Sequence, residues 1–143
     1  MKTSRFSPRL RHLPPLAALL VLALGAAGCS SLNPGSEDAA AAASGFLAAV
    51  QAGDGAAACA FLAPAAVEET EGDEPGSCPR KILQLGLPAA GKVTGSQAYG
   101  RNAQVVLDTD TMFLTLSGDH WKVLGAGCTF RGERPYDCAV DGS

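Results

Sequence analysis

Apolar residues along this chain change their spacing twice. From Leu13 to Gly28 they run almost unbroken behind Lys2, Arg5, Arg9 and Arg11. Further on, Ala43, Phe46, Leu47 and Val50 recur at helical spacing, whereas Met112, Leu114 and Leu116 occupy every second position. The first spacing builds one apolar face on a helix and the second one apolar face on a strand.

The punctuation between these runs sets the expected elements. Ser36 is placed to cap a first helix, with Glu37 and Asp38 suited to the positive end of its dipole and Gly53 suited to the position just past its end. Asp54 would cap a second helix over 55–62, stopped by Pro64, and so tight a join folds the two helices back on each other. Five carboxylates between Glu68 and Glu74 read as a solvated loop. Ser77 would cap a third helix over 79–87, since proline is tolerated in a first turn. Strands are expected over 92–98, 103–107, 111–117 and 120–128, with turns at Tyr99-Gly100-Arg101-Asn102 and Gly118-Asp119. Asp108-Thr109-Asp110 reads as a polar break, and the tail from Gly132 as irregular but tied back by Cys138. Helices followed by an antiparallel meander predict an α+β domain with the helices on one sheet face.

The apolar run after the basic residues has the form of a secretory signal peptide. It is short, and interrupted by Pro14 and Pro15, for a membrane span of roughly 20 residues. It closes on Ala26-Ala27-Gly28-Cys29, which resembles the lipobox of bacterial lipoproteins. The resemblance implies a diacylglyceryl group on the Cys29 thiol, cleavage before Cys29 and acylation, such as by palmitate, of the new amino terminus. Two or more chains anchor a protein stably where one does not. The plainer alternative is an ordinary signal peptide with Cys29 an unmodified thiol. The expected organisation is a leader over 1–28, a lipidated tether over 29–36 and a domain over 37–143.

Removing the leader leaves 115 residues, enough for one modest core. All 14 acidic residues follow Cys29 but seven of the 11 basic ones do, which leaves about −7. An acidic domain with no basic cluster excludes ordinary nucleic-acid binding, and equally a polybasic hold on anionic lipid. With Cys29 assigned to lipid, Cys59, Cys78, Cys128 and Cys138 remain, an even number suited to an oxidising compartment. Of three connectivities the sequential one, Cys59–Cys78 and Cys128–Cys138, closes the shortest loops, with 18 and nine residues between partners. No Cys-x-x-Cys pair points to zinc, the acidic run lacks the spacing of a calcium loop, and no cofactor motif is read.

Phe113-Leu114, Trp121-Lys122-Val123, Ala126-Gly127-Cys128 and the segment Arg134-Pro135-Tyr136-Asp137-Cys138 resemble a group of bacterial lipoproteins with NTF2-like (SnoaL-like or cystatin-like) exported domains. Ala43-Ser44-Gly45-Phe46-Leu47 and Gly53-Asp54 resemble that fold's opening helices. The resemblance covers roughly 37–142 and implies a curved sheet wrapped on helices as a cone, which enzymes line with acids or histidine and binding modules fill with apolar side chains. Fold of this kind does not decide function.

Asp108 and Asp110, two apart, with His120 would make an acid–base set if a regular strand and its neighbour brought them together. If the two aspartates lie in a bend and His120 beside a hairpin turn, they would not. In that case replacing Asp110 is expected to change stability little. Trp121, the one tryptophan, is expected in the core with Val123 on the same side and Lys122 solvated opposite. Tyr99, Phe130 and Tyr136 would with Trp121 form an alternative ligand platform, although Tyr136 best suits covering the sheet end. The leading expectation is a lipid-anchored, non-catalytic binding module on the extracytoplasmic face of the cell membrane, with an unidentified protein or small-molecule partner. The competitors are a small enzyme using Asp108, Asp110 and His120, and a carrier of a small apolar ligand in the cone.

Overall fold

The first helix, α1 (Ser36–Gln51), buries Ala39, Ala43, Phe46 and Leu47 and carries Glu37 and Asp38 in its first turn. Its N-cap is Gly35, not Ser36, with φ at 90°. A Cβ there would come 3.2 Å from Trp121 Cζ2, so glycine is what lets the chain pass against the indole. The computed structural model describes residues 35–143, with only the backbone of Arg134. The expected leader, Cys29 and most of the expected tether lie outside that range.

Gly53, with φ at 71°, follows α1, and the Ala57 N–H donates to Asp54 Oδ1 at 2.9 Å to open α2 (Gly55–Phe61). Gly55 is buried, and a Cβ on it would fall 1.8 Å from the Pro79 carbonyl oxygen. α2 stops before Pro64 as expected, but the chain does not then leave helical structure. Pro64 opens α3 (Pro64–Glu71), because a missing N–H costs nothing in a first turn. Ala66 then anchors α3 in the core, and Glu68, Glu69 and Glu71 are helical rather than part of a loop. The acidic segment is also tied down. Lys81 Nζ donates to the Glu71 carbonyl, Arg80 pairs with Glu74 at 3.1 Å, and the Gly76 N–H donates to Glu71 Oε1.

The next helix is shorter than its expected span. α4 (Cys78–Lys81) passes into a 3-10 turn, Ile82–Gln84, and Gly86 takes φ at 66°. Ser77 occupies the N-cap position without a side-chain cap, its hydroxyl turned to the Glu71 carbonyl. Cys59 and Cys78 are joined, which ties α2 to the start of α4 across α3.

Five strands follow in sequence order: β1 (Val93–Tyr99), β2 (Asn102–Leu107), β3 (Thr111–Ser117), β4 (His120–Arg131) and β5 (Arg134–Asp141). Each pairs antiparallel with the next. Three hairpins close alike, at Tyr99↔Asn102, Ser117↔His120 and Arg131↔Arg134. In each the first loop residue is a glycine with φ between 61° and 70°, namely Gly100, Gly118 and Gly132. Glycine first in a two-residue loop matches the twist of the flanking strands. The tail is therefore not irregular. It forms an edge strand in which Cys128 and Cys138 stand opposite and are bonded, and Pro135 is tolerated because an edge need not donate every N–H inward.

The helices cover one face of the sheet. Phe46 and Leu47 share a core with Ile82, Val105, Met112, Leu114 and Val123, and this cluster fills the space between the layers. The α2–α3 link is pinned onto β4 through the Ala63 N–H, which donates to the Val123 carbonyl at 2.8 Å. The result is an α+β fold of helices on an open antiparallel sheet. No helix among the described residues is long and apolar enough to cross a membrane.

Candidate functional site

Asp110 is 8% exposed, and both its carboxylate oxygens work inward. The Gly127 N–H donates to Oδ2 at 2.8 Å and the Cys128 N–H to Oδ1 at 3.0 Å. Gly127 has φ at 65°, so β4 departs there from regular strand geometry, and Asp110 caps the departure. Asp110 is thus a structural residue of the sheet, and the expectation that its replacement matters little is corrected. Asp108 is exposed, and its Oδ1 accepts the Lys92 N–H at 2.8 Å. His120 is exposed beside the β3–β4 turn, at the far end of β3. That strand's seven residues span roughly 20 Å at about 3.3 Å each, so the two aspartates and His120 do not converge. Among the described residues, no group of three or more His, Cys, Asp or Glu is gathered as metal ligands would be.

Trp121 is 9% exposed and Val123 fully buried on the same side. Lys122 is partly exposed, and its Nζ donates to the Ala60 carbonyl at 2.6 Å, near the end of α2, in a solvent-exposed bond. Around this point lies an open cleft of about 580 Å³, bordered by Asp38, Phe61, Leu116, Asp119, His120 and the Trp121 edge. Its rim mixes charges of both signs, and its cation is already engaged with α2.

A second recess has a different chemistry. Phe113 alternates with the buried Met112 and Leu114, which turns its ring away from the helices. Tyr136 packs edge-on against it, with centroids 5.0 Å apart and planes at 67°. Phe130 lies 5.5 Å from Tyr136 and is 66% exposed. Tyr136 therefore does more than close the sheet end, and Trp121, held in the core under Gly35, is not part of its cluster. Tyr99 is 64% exposed, on β1. Beside the Phe113–Tyr136 pair is a groove of about 380 Å³ lined mainly by Phe113, Leu124, Gly125, Pro135, Tyr136 and Cys138. Asn102, Asp141 and Ser143 bring polar groups to it.

The acidity of Asp141 is displaced. The Ser143 hydroxyl, and then the Ser143 N–H, donate to its Oδ1 and hold the carboxyl below its ordinary value, against a small opposing effect of burial. Phe113 and Gly125 escaped the reading of the sequence. An aromatic at an outward strand position was the available sign for the first, whereas nothing local marks a glycine as the floor of a groove.

Comparison with protein-family models, with curated proteins and with solved structures gives no match for this chain.

Proposed function

We propose that this chain is a lipid-anchored module on the extracytoplasmic face of the cell membrane, where it binds a partner without catalysing a reaction. One observation carries the reading. Of five cysteines, Cys59 bonds Cys78 and Cys128 bonds Cys138, which leaves Cys29 as the single thiol outside the disulfides. It stands directly after Ala26-Ala27-Gly28. Disulfides persist where the environment is oxidising, and a thiol following small residues at the end of an apolar leader is the substrate that lipidation requires. An NTF2-like relationship is part of the same proposal. It is supported by the order of helices before an antiparallel meander and by Trp121-Lys122-Val123 on a late strand.

The binding role draws on two further features. A packed apolar cluster lies between helices and sheet, so an occupant would be met at the cleft by the Trp121 edge or at the groove on the outer sheet face. The acid–base candidates are dispersed, and Asp108 and Asp110 already serve the backbone. The carrier reading is favoured by the apolar groove, with the ligand held on the outer sheet face instead of inside a cone. The acidic surface disfavours nucleic acid as partner.

Labelled fatty acid fed to cells expressing the chain tests the anchor. Incorporation into the wild type and its loss in Cys29→Ala, with the precursor left uncut, is the expected result. Incorporation into the variant would remove the lipobox from the account.

A further inference from the structure

We infer that the outer groove beside the Phe113–Tyr136 pair is a site for a small organic cation, an ammonium group carried on an aromatic or alkyl body. This rests on the reading of the chain as a binding module and supplies the class of ligand.

The sheet register builds the site. Phe113 pairs with Gly125, and Gly125 with Asp141, so an aromatic ring, a bare backbone and a carboxylate lie in one row across β3, β4 and β5. A Cβ at Gly125 would sit 3.4 Å from Cys138 Sγ, 3.5 Å from Cys128 Sγ and 3.6 Å from Phe113 Cδ2. Gly125 is itself buried against the disulfide and the Phe113 ring, so glycine at this position sets a floor that a methyl group would raise. The groove, about 380 Å³, lies in the range of clefts that take small molecules, with an apolar lining and few polar groups.

Charge selects among such molecules. Asp141 is the only side chain among the described lining residues that carries charge at neutral pH, and it is an anion. Ser143 holds it ionised through two hydrogen bonds. Arg131, at the β4–β5 hairpin, is paired with Asp137. The exposed ring surface of Phe113 and Tyr136 is itself attractive to a cation, because the face of an aromatic ring carries negative charge. An anionic ligand would face Asp141 with no cationic side chain among the described lining residues to offset it, and a neutral one would gain from the rings' apolar area alone.

Amide shifts of the oxidised, ¹⁵N-labelled full chain in zwitterionic micelles test this, with phenethylammonium, phenethyl alcohol and 3-phenylpropionate as probes. Phenethylammonium should saturably shift the amides of Gly125, Tyr136 and Cys138, and 3-phenylpropionate should bind most weakly. Asp141→Asn should lower the preference for the cation over the alcohol about two- to fivefold, the scale of one exposed charge pair. Gly125→Ala, whose new methyl meets its neighbours at ordinary contact distance, should keep the wild-type spectrum elsewhere and weaken all binding at the groove. Equal shifts by cation and anion, shifts gathered away from these amides, or unchanged binding in Gly125→Ala would each overturn the assignment. Fatty-acid labelling at Cys29 is independent of every one of these results, so failure at the groove is separable from failure of the anchor.

Discussion

Replacing Asp110 by alanine should unfold this domain at markedly lower denaturant, although the residue stands in a polar Asp-Thr-Asp segment. The carboxylate is 8% exposed and accepts two backbone N–H groups, from Gly127 at 2.8 Å and Cys128 at 3.0 Å. A hydrogen bond to a charged acceptor contributes about 1.5–3 kcal/mol, and an N–H left unpaired away from water costs on the order of 1–3 kcal/mol. The two bonds share one acceptor group and are part-buried, so they are not additive, and a total of about 2–4 kcal/mol follows. That is a large fraction of the roughly 5–15 kcal/mol that holds a domain together. Asp108→Ala is the internal control. Its exposed carboxylate accepts one N–H, from Lys92, and its loss should cost about 0.5–1.5 kcal/mol. Equilibrium unfolding of the oxidised protein, followed by Trp121 fluorescence, reads both. Hydrogen exchange gives a local check: the Gly127 and Cys128 amides should exchange faster in Asp110→Ala and not in Asp108→Ala. If the two variants matched within about 0.5 kcal/mol, the scale on which surface substitutions fall, Asp110 would not be the brace of β4.

Two further outcomes follow from the same structure. Trp121→Ala removes a core side chain that also seats Gly35, and should cost about 3–5 kcal/mol in unfolding followed by circular dichroism; an unchanged midpoint would move Trp121 out of the core. Ser143→Ala should raise the Asp141 titration by NMR part of the way toward the ordinary 3.8, because it removes the hydroxyl, the stronger of the two donors that lower it, and keeps the backbone N–H. The depressed folded value means that the interaction stabilises above the unfolded value near 3.8 and is lost as pH falls through the folded one. The Ser143→Ala stability deficit should thus be constant at neutral pH and vanish in strong acid, and a deficit that grew in acid would reverse the assignment.

Much of the architecture was legible because its determinants are local. A glycine opening a two-residue loop defines a hairpin by its own backbone freedom, and Gly100 and Gly118 marked theirs. Gly132 carried the same sign for the third hairpin, but the glycines, proline and cysteine around it concealed a strand whose regularity comes from pairing with β4. Asp54 capped α2 as read, since a cap reaches only three residues. Cysteine order, with an even number left once Cys29 is set aside, was enough to favour the two disulfides that form. Pro64 was ambiguous in principle: proline both stops a helix and starts one, and burial of Ala66 decided between them. Asp110 and the groove lay beyond any local reading. The aspartate meets its partners 17 and 18 residues away, across a β4 irregularity no spacing rule locates. The groove needs three strands in register to set Phe113, Gly125 and Asp141 in a row. Local rules assign a residue to an element, but only the packed sheet decides which side chains, and which missing one, face the same space.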